Sequence, residues 1–182
     1  EFLVQMDGVG KDSVGVLLLG ATNNPWDIDS AVRRRFQKRI YIPLPDEEAR
    51  STILKIRMEN EPTTLCAQDF KFLGKYTMNY SGSDIKVIAQ DAVQMPLKNL
   101  KYVTHFKRGR DPKTGEQIYT PTTPEDPAGE EKDRNDIPQG QLRLPPISLE
   151  HMVKAVRANP SSTSVKDLLR FQQWTEQFGQ KG

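Results

Sequence analysis

Apolar and polar positions fall along the chain in blocks of different period, and the blocks predict its elements. Val16 to Leu19 is a continuous apolar run, the pattern of a strand covered on both faces of a parallel sheet. The turn Thr22-Asn23-Asn24-Pro25 follows at once, then a short helix capped at Asp29 and ending in Arg33, Arg34 and Arg35. A second strand is expected over Arg39 to Pro45. From Asp46 the period becomes helical. The acidic turn Asp46-Glu47-Glu48 suits a helix start, and Ala49, Ile53 and Ile56 form a stripe that Glu61-Pro62 stops. A second helix is predicted over 67–76, with Phe70 and Leu73 inward. The third is the most regular. Ser81 and Asp84 form a capping-box pattern, and Ile85, Ile88, Ala89, Ala92 and Val93 share one face. Pro96 predicts a kink near Gln94 on the way to Tyr102.

Between Lys107 and Pro146 the pattern is different in kind, holding seven of the thirteen prolines. Thr104-His105-Phe106 and Gln117 to Thr120 read as strands about a turn at Asp111 to Gly115, and Gln141 to Leu144 as a third. Pro124 to Gly129 reads as a mobile loop. Ser148 then caps a helix whose Leu149, Met152, Val153 and Val156 share a face, ending before Asn159-Pro160. Ser164 and Asp167 open a last helix carrying Val165, Leu168, Phe171, Trp174 and Phe178. A helix of this length is marginal unless packed, so docking is expected. At the other end, Phe2, Leu3 and Met6 share a helical face that Asp7-Gly8 ends, and the abrupt start reads as a helix already under way.

Composition narrows the classes. The 182 residues carry a net charge of +2, too small for a whole-chain nucleic-acid or membrane binder. A single cysteine, Cys66, excludes an internal disulfide. Two glycine–lysine pairs fail as phosphate loops: Asp12 follows Gly10-Lys11, and Tyr76 follows Gly74-Lys75, where Ser or Thr is needed. No Walker A loop and no apolar strand ending in Asp-Glu is found. His105 and His151 have no ligand-spaced companions, which favours surface or structural roles over a metal site.

The candidate chemistry lies after the first strand. Open α/β sheets place ligands at the carboxyl ends of their strands, so Asn23 stands where an amide could touch a phosphate or orient a water; the competing reading is a plain turn, which Asn and Pro favour by themselves. Adjacent guanidinium groups repel unless anions are near, and their planar forks match phosphate oxygens. A solvated basic face, or nucleic-acid phosphate contact by Arg33 to Arg39, is the competing reading. Gly82 supplies backbone freedom at a helix start.

Gly20-Ala21-Thr22-Asn23, then Asp29 to Phe36 and Arg39 to Pro45, closely resemble the AAA ATPases of the meiotic clade. Tyr80 to Ile85 and the ending Phe178-Gly179-Gln180 narrow the resemblance to the branch that remodels ESCRT-III filaments. The resemblance implies an α/β plus α fold. Residues 1–45 would be the end of a large ATPase domain, 46–102 a small helical domain, 103–146 an inserted antiparallel β domain, 147–159 the last small-domain helix and 160–182 a carboxyl-terminal helix docked on the large domain. It implies Asn23 as the water-orienting residue, Arg34 and Arg35 as fingers for a neighbouring subunit's ATP, and Arg33 as structural. Gly82 and Ser83 would lie at the adenine, Ser83 serving the helix cap as well. ATP and Mg2+ are the implied cofactors, with the magnesium ligands upstream, so that these residues alone would be inactive. The implied partners are further copies in a ring, most simply a hexamer, ESCRT-III subunits, and an activator at the β domain. A cytoplasmic protein recruited to endosomal membranes through ESCRT-III follows. One departure stands at Asp133-Arg134-Asn135-Asp136-Ile137, where relatives tend to carry Ser-Trp-x-Asp-Ile; it removes an aromatic from the small sheet and leaves activator binding open. A microtubule-severing relative, argued against by the insert, and a non-catalytic adaptor remain as alternatives. A nucleic-acid binder is disfavoured, because no aromatic platform accompanies the arginines.

Overall fold

The computed structural model describes residues 17–112 and 114–179, so the expected helix at Phe2 to Met6, the Gly10-Lys11 pair and Val16 lie outside the described residues. The chain divides into two compact units. Residues 44–162 form one, and the stretches on either side of it form the other.

The larger unit is a bundle of four helices with a small sheet beside it. Helices α2 (Glu47–Met58), α3 (Ala67–Tyr76), α4 (Gly82–Asn99) and α5 (Leu149–Ala158) surround one apolar core. Leu54, Met58, Leu73, Ile85, Ile88 and Met152 are fully buried there. Capping fixed several starts: the side chain of Asp46 accepts from the Ala49 amide at 2.8 Å, and Ser81 and Asp84 satisfy each other's amides at 3.2 and 2.8 Å. Pro96 does not end α4, which runs on to Asn99 before the 3-10 turn Leu100–Tyr102.

The stripe expected on α2 is rotated by one position. Leu54 and Met58 face the core together with Arg50, whereas Ile56 is largely exposed. An apolar pattern cannot announce a stripe that includes an arginine. Arg50 is buried because carbonyls hold it: Nε and Nη2 donate to Gly74 O at 3.0 and 2.8 Å, and Nη1 to Pro45 O at 2.6 Å. Gly74 in turn lets α3 approach α2. A Cβ there would lie 2.6 Å from Glu47 O and 3.0 Å from Ser51 Cβ.

The sheet pairs β1 (His105–Arg110) antiparallel with β2 (Gln117–Thr122) on one side and β3 (Gly129–Glu131) on the other. The third strand is therefore not Gln141 to Leu144. That segment makes one bridge at Tyr119, whose N–H donates to Gln141 O at 2.8 Å and whose O accepts from Arg143 N at 2.9 Å. The next β2 residue facing that edge is Pro121, which has no N–H, and the ladder stops. Acidic Gly129–Glu131 takes the free side of β1 instead, with Glu130 2.9 Å from Arg108. The loop expected at 124–129 is a hydrogen-bonded turn: Asp126 accepts from Thr122 Oγ1 at 2.8 Å and from the Ala128 amide at 3.0 Å. Phe106, Tyr119, Leu100 and Ile137 form the core of the sheet, and Arg134 stays exposed. The sheet thus packs without an aromatic at that position.

In the smaller unit, Leu17 to Leu19 and Arg39 to Pro45 are not strands, and Leu17, Leu19, Ile40 and Ile42 are mostly exposed rather than buried. A strand needs a neighbour to take up its backbone groups, and none pairs with these segments among the described residues. The 3-10 turn Pro25–Asp27 and helix α1 (Ser30–Arg35) pack with the last helix, α6 (Val165–Phe178). No helix of the described residues is long and apolar enough to cross a membrane.

Two stability outcomes follow from the bundle. Gly74→Ala should destabilise it by about 1–3 kcal/mol in urea titration, because backbone on the facing helix has to move. His151 serves as the third residue of the α5 cap, its Nδ1 accepting the Ser148 amide at 3.1 Å. Burial holds the His151 pKa below its ordinary value; Glu150 opposes the shift and Lys154 adds to it. Its contribution is therefore complete above the unfolded-state value, about 6.5, and is lost as pH falls through the lower folded-state value. The urea midpoint should drop between pH 7.5 and 5.5, and His151→Gln should flatten that drop; an equal drop in both proteins assigns it to other groups.

Candidate functional site

The sequence-predicted residues fall in both units. Asn23 and the three arginines belong to the smaller unit, Gly82 and Ser83 to the larger.

Asn23 sits in a turn whose next amide, Asn24 N, donates to Thr22 Oγ1 at 3.0 Å. Its own side chain is exposed and makes no hydrogen bond with the described residues. Asp29 caps α1 by accepting from Ala31 N at 2.7 Å and Val32 N at 3.4 Å. The single helical turn that follows points its three arginines in different directions. Arg33 lies over the Phe178 ring, 4.3 Å from the centroid. Arg35 donates from Nη1 to Ala31 O at 3.0 Å. Arg34 alone of the three is exposed and has no partner among the described residues.

Helix α6 holds this arrangement. Phe171 lies 4.9 Å from the Trp26 ring and 6.1 Å from that of Tyr41, and Arg170 stacks on Trp26 at 3.7 Å. A guanidinium on an aromatic face gains about 0.5–2 kcal/mol, so both stacked arginines serve packing. The expected docking of the last helix is thus realised against Trp26, Tyr41 and Arg33.

Gly82 and Ser83 are the first residues of α4 and both are exposed. A Cβ built on Gly82 meets nothing within 4 Å, so the fold itself does not demand glycine there. The turn beneath them is rigidly tied. Burial alone would raise the Asp84 pKa, but hydrogen bonds from Ser81 and Ser162 outweigh it and hold the carboxyl below its usual value. Tyr80 is buried and donates from its hydroxyl to Asn159 O at 3.0 Å. Burial, reinforced by Asp84 and Tyr76, pushes the phenol up, so it remains a donor. These contacts escaped the sequence; the only signal was the polar run Asn159-Pro160-Ser161-Ser162 at the end of α5. Among the described residues no three His, Cys, Asp or Glu side chains converge as metal ligands.

Among the described residues Arg34 supplies a cation without a partner and Asn23 an exposed amide, both groups that can bond phosphate oxygens; Gly82 belongs to the other unit, at the exposed start of a helix. Comparison with known proteins bears on the family of the chain. The profile of the ATPase family associated with various cellular activities (AAA) matches residues 1–44, and that of the Vps4 C terminal oligomerisation domain matches residues 119–179. Vacuolar protein sorting-associated protein 4B of Mus musculus is 42% identical over all of this chain, which spans 42% of that relative's length. Among solved structures, the FIGL-1 AAA domain in complex with ADP matches 98% of this chain and 50% of its own, with 26% identity and a TM-score of 0.72. A chain from the crystal structure of Vps4 and Vta1 is 30% identical, with 64% of this chain and 99% of that one aligned and a TM-score of 0.50. The chain belongs to the AAA ATPases, within the family of vacuolar protein sorting-associated protein 4.

Proposed function

We propose that the chain is part of a ring-forming ATPase, most simply a hexamer, that uses ATP hydrolysis to disassemble ESCRT-III filaments at endosomal membranes. The observation that carries the reading is the sorting of the arginines, with Arg33 held on Phe178 and Arg34 left exposed and without a partner among the described residues. Residues 1–45 act as part of a large ATPase domain, 46–102 and 147–159 as a small helical domain, 103–146 as an inserted β domain, and 160–182 as a carboxyl-terminal helix.

Phosphoryl transfer asks the protein mainly for positioned charge and an oriented water. ATP with Mg2+ supplies the transferable phosphoryl group when bound, and the magnesium ligands lie outside the described residues. Asn23 orients the attacking water in its own subunit. Arg34, with Arg35 beside it, extends to the ATP of the next subunit and neutralises charge on its γ-phosphate. Gly82 and Ser83 leave room for the adenine. A finger supplied in trans makes turnover depend on assembly, in keeping with the oligomerisation-domain match over residues 119–179. The three-stranded sheet is the proposed activator surface; the partnership of Vps4 with Vta1 in the solved relative supports it.

Measurements on the full-length ring test the assignments. Arg34→Ala should bind nucleotide as the unmodified protein does but lose on the order of 10³-fold or more in phosphate release. Arg33→Ala should mainly lower the unfolding temperature. Turnover by Arg34→Ala equal to that of the unmodified protein removes the finger. Gly82→Leu should leave stability within about 0.5 kcal/mol, as expected for a surface change, while weakening ADP binding at least tenfold; unchanged ADP affinity refutes the adenine assignment. Co-sedimentation with ESCRT-III tails rather than microtubules separates this function from severing.

A further inference from the structure

The apolar face of the small sheet gives way to charge at the end of its β1–β2 hairpin. Phe106, Arg108 and Arg110 stand at alternate positions of β1 and so share a face. Across the strand they meet Pro121, Tyr119 and Gln117. Phe106 and Tyr119 are buried, whereas Arg108, Arg110 and Gln117 are exposed. Arg108, Gly109, Arg110, Gly115 and Gln117 line an open cavity of about 520 Å3 there.

Charges around this cavity are unevenly matched. Glu130 lies 2.9 Å from Arg108. Asp111 is taken by Arg143 at 3.4 Å, and Glu116 accepts from the Thr114 hydroxyl at 3.4 Å. Arg110 has no partner among the described residues. Gln117 is held in place, its Nε2 donating to the hydroxyl of the buried Tyr119 at 2.9 Å. Gly109 gives an independent indication. A Cβ there would make only ordinary contact, 3.7 Å from Ile118 Cγ1, and the residue has no positive φ. The register is continuous through it, so it marks no bulge. The remaining use of glycine inside a strand is the close approach of a ligand or another backbone.

We propose that this hairpin end is a carboxylate-binding site that takes an extended acidic segment of a partner protein, with Arg110 as its main contact and Arg108 and Gln117 beside it. A guanidinium meets a carboxylate through two parallel N–H bonds. Residues two apart in a strand advance by roughly 7 Å, so carboxylates at alternate positions of an extended segment match Arg108 and Arg110 in turn. A polyanionic surface is a poorer fit. Nucleic acid or an anionic membrane draws on positive charge summed over a broad face. Residues 103–146 carry eight Asp and Glu against seven Lys and Arg, and offer no such surplus. The inference goes beyond the reading of the sheet as an activator surface and depends neither on it nor on the nucleotide assignments.

The probe is a fluorescein-labelled peptide of alternating Asp and Ser, followed by anisotropy against the full-length ring in phosphate-free buffer. Arg110→Ala should weaken its binding roughly tenfold. Arg110→Lys keeps the charge but loses the planar fork, and should recover only part of the loss. Because Arg110 gives up no partner, the unfolding temperature should not move. Arg134→Ala removes the same charge from another exposed arginine of the β domain and should leave the affinity unchanged. Equal losses from Arg110→Ala and Arg134→Ala reduce the effect to diffuse charge attraction and overturn the proposal. So does peptide binding that survives Arg110→Ala intact, or no detectable binding to the unmodified ring. Tighter, Arg110-dependent binding of a polythymidine oligonucleotide or of phosphatidylserine vesicles overturns the choice of partner.

Discussion

A guanidinium taken out of water without a carboxylate is tolerated only when its donors are satisfied, and Arg50 is the place where this chain meets that condition. Its bonds to Gly74 O and Pro45 O tie three separate pieces together: α2, the last turns of α3, and the segment entering the bundle. The contact works only because Gly74 has no side chain, so that α3 lies against Glu47 and Ser51. With α3 fixed in this way, its end and the turn to α4 are fixed too, and with them the start of α4. Thr77, fully buried, finishes the same corner by donating from Oγ1 to Leu73 O at 2.8 Å.

That corner explains how the bundle holds both of the segments that leave it. The entering segment is held at Pro45 by Arg50, and the departing one at Asn159 to Ser162 by Tyr80, Asp91, Asn79 and Asp84. Polar bonds carry both attachments. Such bonds are modest in net worth, about 0.5–1.5 kcal/mol when neutral and more when charged. They are directional, however, and so fix the geometry of each attachment more narrowly than an apolar contact would.

The helices of the bundle were legible because their ends are written locally. Ser81 with Asp84, and Ser164 with Asp167, announce their caps within four residues, and α3 falls where its apolar spacing puts it. What escaped was decided at a distance. The stripe on α2 includes Arg50 because of a carbonyl on another helix. The third strand is acidic, and it pairs because β1 offers basic side chains and a free edge, while the apolar candidate at Gln141 to Leu144 meets Pro121. Leu17 to Leu19 have strand composition but no strand partner among the described residues. Residue type singled out Asn23 and the arginine run as candidates. It could not rank the three arginines, since Phe178, far down the chain, decides which of them is engaged.

The two glycines of the bundle show how space separates folding from binding. At Gly74 a methyl group would strike the backbone of a neighbouring helix, so glycine is explained by packing and needs no ligand. At Gly82 the same methyl group would enter open space, and the backbone has no positive φ to excuse its absence. Alanine there would be favoured by roughly 0.4–1 kcal/mol through the unfolded state alone. A position that gives up this much, at the start of a helix whose cap is complete, is one where the fold has left room that it does not itself use. The neighbouring exposure of Ser83 and the hydrogen bonds that hold Asp84 beneath it make that room a surface on a fixed base.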